Sequence, residues 1–153
     1  MVTFKKFVLV AALSVPAALL QAVEAADVEY YSFASETERA LPFSDAVRVG
    51  DLLFLSGKIG TVPGTLELVS GGIQGETRQT LDNIQTALEN YGSSLKQVVK
   101  CTVFLADIAE WTAMNEIYLQ YFAVNPPARS ALGSSGLALG ARVEIECIAT
   151  VGR

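Results

Sequence analysis

Hydrophobic and polar positions change rhythm once along this chain, near residue 26. Before that point charge is almost absent: Lys5 and Lys6 are followed by an apolar run from Phe7 to Leu20, which relaxes into Gln21-Ala22-Val23-Glu24-Ala25-Ala26. A short basic start, an apolar stretch of this length and small residues at Val23 and Ala25 form the pattern of a secretory signal peptide cut after Ala25. The competing reading is an anchor that is never removed. The run is short for a membrane span and Pro16 interrupts it, which favours cleavage. No cysteine follows it to take a lipid. The chain is therefore expected to be exported, to the periplasm, with residues 26–153 as one domain and no membrane segment after cleavage.

Beyond residue 26 the pattern resolves into elements. Ala46 to Asp51 and Leu52 to Gly57 predict two strands joined at Gly50-Asp51. Glycines and Pro63 punctuate residues 58–75, predicting a long connection with room for one short strand. Thr77, Leu81, Ile84, Leu88 and Tyr91 recur at three- and four-residue steps, predicting a helix over 76–91 that stops at Gly92. Gln97 to Ala106 is β-rich. Asp107-Ile108-Ala109-Glu110 reads as a capping box opening a helix with Ile108, Trp111, Met114, Ile117, Tyr118, Tyr121 and Phe122 on its inner side, ended by Asn125-Pro126-Pro127. Strands are predicted from Arg129 and from Arg142, the last with Val143, Ile145, Cys147 and Ala149 on one face. Helices interleaved with strands of mixed direction give an α+β class: one mixed sheet with two helices packed on one face.

Composition removes chemistry from this picture. The chain has no histidine, which excludes His-dependent triads and imidazole bases. Cys101 and Cys147, far apart, cannot make a structural zinc site. Both lie in apolar runs and read as small buried side chains; a bridge requires Cα atoms within about 7 Å, which spacing does not fix. Net charge is −5, and a surface of that sign does not suit nucleic acid. What remains is a catalytic vocabulary of carboxylates, Arg, Lys, Tyr, Ser and backbone dipoles, fitting a cofactor-free hydrolase or a small-molecule binder.

Three places could use that vocabulary. Arg129, after two prolines at a strand entrance, could grip a carboxylate through paired hydrogen bonds, or make an ordinary surface ion pair. Glu144 shares a strand face with Glu146; either that face is solvated, or Glu144 has a partner or a task such as deprotonating water. Ser56 and Gly57 end a strand, where a hydroxyl and an open backbone could meet a ligand, or where the chain simply turns. Gly133-Ser134-Ser135-Gly136 lacks the ending of a phosphate loop and reads as a turn.

Together these residues resemble the Rid (reactive intermediate deaminase, YjgF-type) family. Pro127-Ala128-Arg129-Ser130, Leu132, Gly136 and Val143-Glu144-Ile145 match its C-terminal signature. Pro42, Ser56 and Gly57 keep its spacing upstream, and Gln79 to Ile84 and Lys100 to Asp107 resemble its helix and central-strand motifs. The resemblance implies a chorismate-mutase-like fold and homotrimers with ligand sites between subunits. It also implies hydrolysis of 2-imino acids to 2-oxo acids and ammonia, without metal or organic cofactor. Arg129 would clamp the substrate carboxylate and Glu144 would orient the water. Ser56, Gly57 and Asn115 would line the pocket, with Phe43 and Ala131 standing where relatives often carry tyrosine and cysteine. The alternative on the same scaffold is an exported binding or chaperone-like protein without catalysis. Ribonuclease action, attached to some relatives, fits the acidic, histidine-free chain poorly.

Overall fold

The computed structural model describes residues 26–152. The leader lies outside them, so its expected cleavage is a matter of sequence alone. Among the described residues no helix is long and apolar enough to cross a membrane. Chain order is β1 (Val28–Tyr31), a short helix α1 (Glu36–Arg39), β2 (Ala46–Val49), β3 (Leu52–Leu55), β4 (Lys58–Ile59) and α2 (Gly72–Asn90). It continues through β5 (Val98–Leu105), α3 (Trp111–Tyr121), β6 (Ala128–Gly133) and β7 (Val143–Thr150). The sheet runs β1-β2-β3-β7-β5-β6, with β4 also paired to β7. Among the described residues only β5 and β6 pair in parallel, because α3 carries the chain back between them. The expected α+β class is what forms: one mixed sheet carrying two helices.

The alternation in β7 sets the faces. Val143, Ile145, Cys147 and Ala149 are buried towards α2 and α3, and β5 adds Cys101, Val103 and Leu105 to that side. Leu81, Ile84 and Leu88 of α2 and Met114, Ile117 and Tyr118 of α3 close the core over them. Cys101 and Cys147 stand opposite each other in the β5–β7 pairing and are joined by a disulfide. The bridge closes a loop of 46 residues, and loop-closure entropy puts its contribution at about 4 kcal/mol.

Several expectations are corrected. Helix α2 starts at Gly72, four residues before the predicted onset, where Gly71 and Gly72 adopt positive φ. Asp107 does accept from the Ala109 amide at 2.9 Å, but its turn is 3₁₀. Glu110 pairs with Arg142 instead of reaching back to complete a box. Ile108 and Trp111, expected inside, are exposed by 52% and 41%. Strand β1 escaped prediction because, at a sheet edge with no buried face, its four residues carry no alternation.

Between β3 and β4 the pairing with β7 shifts by one residue: Phe54 faces Ile148, yet Lys58 faces Ile145. The extra residue falls within Leu55-Ser56-Gly57. Such a bulge breaks the alternation and re-aims the next residues along the strand, turning Gly57 and Ile59 to the side of Glu144.

Candidate active site

Glu144 lines a cleft of about 380 Å³ with Gly57, Phe33, Phe43, Lys58 and Leu139 among its neighbours. Its carboxylate lies hard against Gly57. A Cβ built on Gly57 would stand 2.0 Å from Glu144 Oε1, so the missing side chain is what lets the carboxylate occupy this position. Among the described residues no group donates a hydrogen bond to it. Burial, with the like charge of Glu146 adding to it, raises the Glu144 pKa above the usual carboxylate value. A carboxylate that holds a proton more readily than usual, in an open cleft, can exchange one with a bound water.

Arg129 sits elsewhere. It pairs in register with Cys101, which puts it on the helix-covered face, whereas Glu144 is on the other. Its guanidinium lies over the Tyr118 ring at 4.6 Å and nearer the limit of contact, 5.8 Å, to Trp111. Among the described residues no carboxylate is within ion-pairing distance of it. Asn115 is four residues after Trp111 and three before Tyr118, on the same helical stripe. Ala131 follows Arg129 on its face and packs at the core margin.

The named residues thus form two groups. Phe43, Gly57 and Glu144 surround the cleft, while Arg129, Ala131 and Asn115 belong to β6 and α3. Ser56 is in neither group: its hydroxyl donates to the Ser44 carbonyl at 2.7 Å, tying the end of β3 to the segment that carries Phe43.

The chain is similar to known proteins over most of its described length. The family model described as Endoribonuclease L-PSP matches residues 33–151. The human protein named 2-iminobutanoate/2-iminopropanoate deaminase is 45% identical over 111 residues, covering 72% of this chain and 81% of that one. The Arabidopsis thaliana protein named Reactive Intermediate Deaminase A, chloroplastic, is 43% identical over 110 residues; the match covers 72% of this chain and 59% of that relative. The chain belongs to the Rid family. Its backbone agrees: the Rid-family structure of YyfA from Yersinia pestis matches with TM-score 0.75 and 36% identity, covering 82% of this chain and 100% of that one.

The cleft of this Rid chain also holds residues that sequence reasoning missed. Asp45, buried, is ion-paired with Lys58 and accepts from the Tyr91 hydroxyl at 2.6 Å. Tyr91 stacks on Tyr31 with ring centroids 4.5 Å apart, and Lys58 Nζ lies 4.7 Å from the centre of the Phe33 ring. Burial draws the Lys58 pKa down to about 8, with the negative charge of Glu38 opposing the shift. Residues 31, 45, 58 and 91 have no shared spacing that could have announced the cluster. Among the described residues no group of three or more acidic or sulfur side chains is placed to hold a metal.

Gly57→Ala is expected to separate function from stability in this Rid chain. The colliding atoms are the flexible end of Glu144, so the fold yields cheaply, and the melting temperature should stay within a few degrees of wild type. The carboxylate, however, must leave its position, and turnover should fall at least tenfold, since displacement by about 1 Å carries penalties of that order. Equal turnover in Gly57→Ala would show that the Glu144–Gly57 contact does not matter.

Proposed function

We propose that this chain is a hydrolytic deaminase that converts reactive 2-imino acids to 2-oxo acids and ammonia. The observation that carries the reading is the Glu144 carboxylate, without a hydrogen-bond donor among the described residues and pressed against Gly57 in an open cleft. Relatives named as imine deaminases support the same reaction class.

In this reading a water bound by Glu144 attacks the imine carbon. The carboxylate takes a proton from it as the C–O bond forms and passes it to nitrogen, giving a carbinolamine; it then relays the carbinolamine's hydroxyl proton to nitrogen as the C=O bond forms. The C–N bond breaks, ammonia leaves and the 2-oxo acid remains. The Arg129 guanidinium holds the substrate carboxylate by two parallel hydrogen bonds. Phe43 forms part of the cleft wall, and Asn115 and Ala131 flank the arginine.

Arg129 and Glu144 are on opposite faces of one sheet, so the full site is proposed to form between copies of the chain, in a homotrimer. Leu52, Phe54 and Leu132, exposed on the face away from the helices, give such an assembly apolar surface to bury. Export remains part of the proposal; the Cys101–Cys147 disulfide supports it, since such bridges persist in oxidising compartments.

The test generates 2-iminopropanoate and 2-iminobutanoate in situ and follows 2-oxo acid release, using protein that begins at Ala26. Acceleration over buffer, with the protein behaving as a trimer in light scattering, is the expected result. Release at the buffer rate would contradict the deaminase reading.

A further inference from the structure

Arg129 is held by rings, where Arg48, Arg78 and Arg142 are held by oxygens. Arg48 donates to the Gly50 carbonyl at 2.9 Å and Arg78 to the Gln120 amide oxygen at 3.1 Å, while Arg142 turns its guanidinium to the Glu110 carboxylate. Among the described residues Arg129 gives its N–H groups to no oxygen. Its guanidinium lies 4.6 Å from the centre of the Tyr118 ring and 5.8 Å from that of Trp111. The difference decides what the cation can still do. A carboxylate ligand needs two parallel N–H groups of the guanidinium, and in Arg142 Glu110 already has them. An aromatic ring attracts the cation through its quadrupole and supplies no oxygen acceptor. Tyr118 and Trp111 therefore fix Arg129 and leave its donors to a ligand.

The local structure explains how the rings come to be there. Both belong to α3, seven residues apart, which is two helical turns and puts them on one stripe. The parallel pairing of β6 with β5 lays Arg129 opposite Cys101, on the face that the helices cover. Tyr118 is buried, and its hydroxyl has no hydrogen-bond partner among the described residues, so its ring is what it offers Arg129. These contacts are made within one chain, independently of the copy that supplies Glu144.

We infer that Trp111 and Tyr118 are positioning residues for Arg129: their rings aim the guanidinium at the substrate carboxylate without competing for its hydrogen bonds. The inference rests on the deaminase reading, in which Arg129 clamps that carboxylate, and adds what holds the clamp. Its mark is in binding. The carboxylate is gripped alike before and during the reaction, so loosening Arg129 raises KM more than it lowers kcat.

The test measures 2-oxobutanoate binding by calorimetry and turnover of 2-iminobutanoate made in situ, in wild type, Trp111→Leu, Trp111→Phe and Tyr118→Phe. Trp111 is the single tryptophan of the chain, so its emission reports on the clamp directly. Wild-type emission should change on saturation with 2-oxobutanoate, and that of Arg129→Ala should not. Trp111→Leu should weaken 2-oxobutanoate binding and raise KM by about fivefold, the value of one such ring contact, with kcat and melting temperature close to wild type. Trp111→Phe restores a ring and should come within about twofold of wild type. Tyr118→Phe loses only an unpartnered hydroxyl, so it should bind as wild type does and melt no lower. A purely structural role for Trp111 would instead lower the melting temperature of Trp111→Leu and leave KM and binding intact, which overturns the inference. Trp111→Phe no better than Trp111→Leu, or emission indifferent to bound 2-oxobutanoate, would each overturn it alone. Binding that follows the expected pattern without turnover would uphold the ring contacts and overturn the deaminase reading. Neither binding nor turnover in wild type would remove both.

Discussion

Arg129→Ala should lower kcat/KM for 2-imino acid hydrolysis by roughly 10³-fold, the cost of removing one partner from a desolvated, bidentate charge pair. The loss should be specific to function. In the free chain the guanidinium makes ring contacts with Tyr118 and Trp111, worth about 1 kcal/mol, so the melting temperature should fall only slightly. Arg129→Lys should restore little, because an ammonium cannot reproduce the two parallel bonds. Binding of a 2-oxo acid, measured by calorimetry, should weaken in step with turnover. Wild-type turnover in Arg129→Ala would show that the substrate carboxylate is held elsewhere.

Glu144→Gln should have an effect of similar size, about 10²- to 10⁴-fold, as for loss of a positioned general base. Its distinguishing mark is the dependence on pH. The working form is the carboxylate, and burial beside Glu146 raises its pKa. Wild-type activity should therefore decline as pH falls towards and through a value above that of an ordinary glutamate, and the residual activity of Glu144→Gln should lack that limb. Stability moves the other way. The folded chain binds the Glu144 proton more tightly than the unfolded chain does, so stability falls as pH rises from the unfolded value through the raised folded one. At neutral pH Glu144 is thus a cost to the fold, and Glu144→Gln should melt at or above the wild-type temperature. An inactive variant that is also less stable, or a pH profile unchanged by the substitution, would contradict a base at this position.

Much of this was legible in the residues. The inward stripe of α2 and the alternation of β7 are imposed by burial against one another, and burial is what periodicity records. That is why Leu81, Ile84, Leu88, Val143, Ile145 and Cys147 could be placed without coordinates. Trp111 was misplaced because its apolar surface faces the Arg129 guanidinium instead of the core, a distinction that hydropathy does not make. The Cys101–Cys147 bridge depends on the register between β5 and β7, a tertiary fact. The same holds for the bulge at Leu55-Ser56-Gly57, since a single inserted residue is visible only against the strand opposite. Asp45, Lys58 and Tyr91 come from three separate elements, and nothing local marks them as partners. The left-handed Leu139 had no signal at all: the glycine that would normally announce such a backbone stands one position later, at Gly140.

The family signature named Arg129 and Glu144 but not their relation. Read along the chain they suggest one site; the pairing of β6 and β7 through β5 puts them on opposite faces. In the proposed reading the site is therefore a property of the assembly, with each copy supplying the arginine to one site and the glutamate to another.

Complementation tests that claim most directly. Arg129→Ala and Glu144→Gln chains, each inactive alone, are unfolded together, refolded as an equal mixture, and checked by native mass spectrometry for mixed assemblies. If each site joins Arg129 of one copy to Glu144 of another, random mixing leaves about one site in four with both residues intact, and roughly a quarter of wild-type turnover should return. Mixed assemblies that stay as inactive as either variant alone would contradict a site shared between copies.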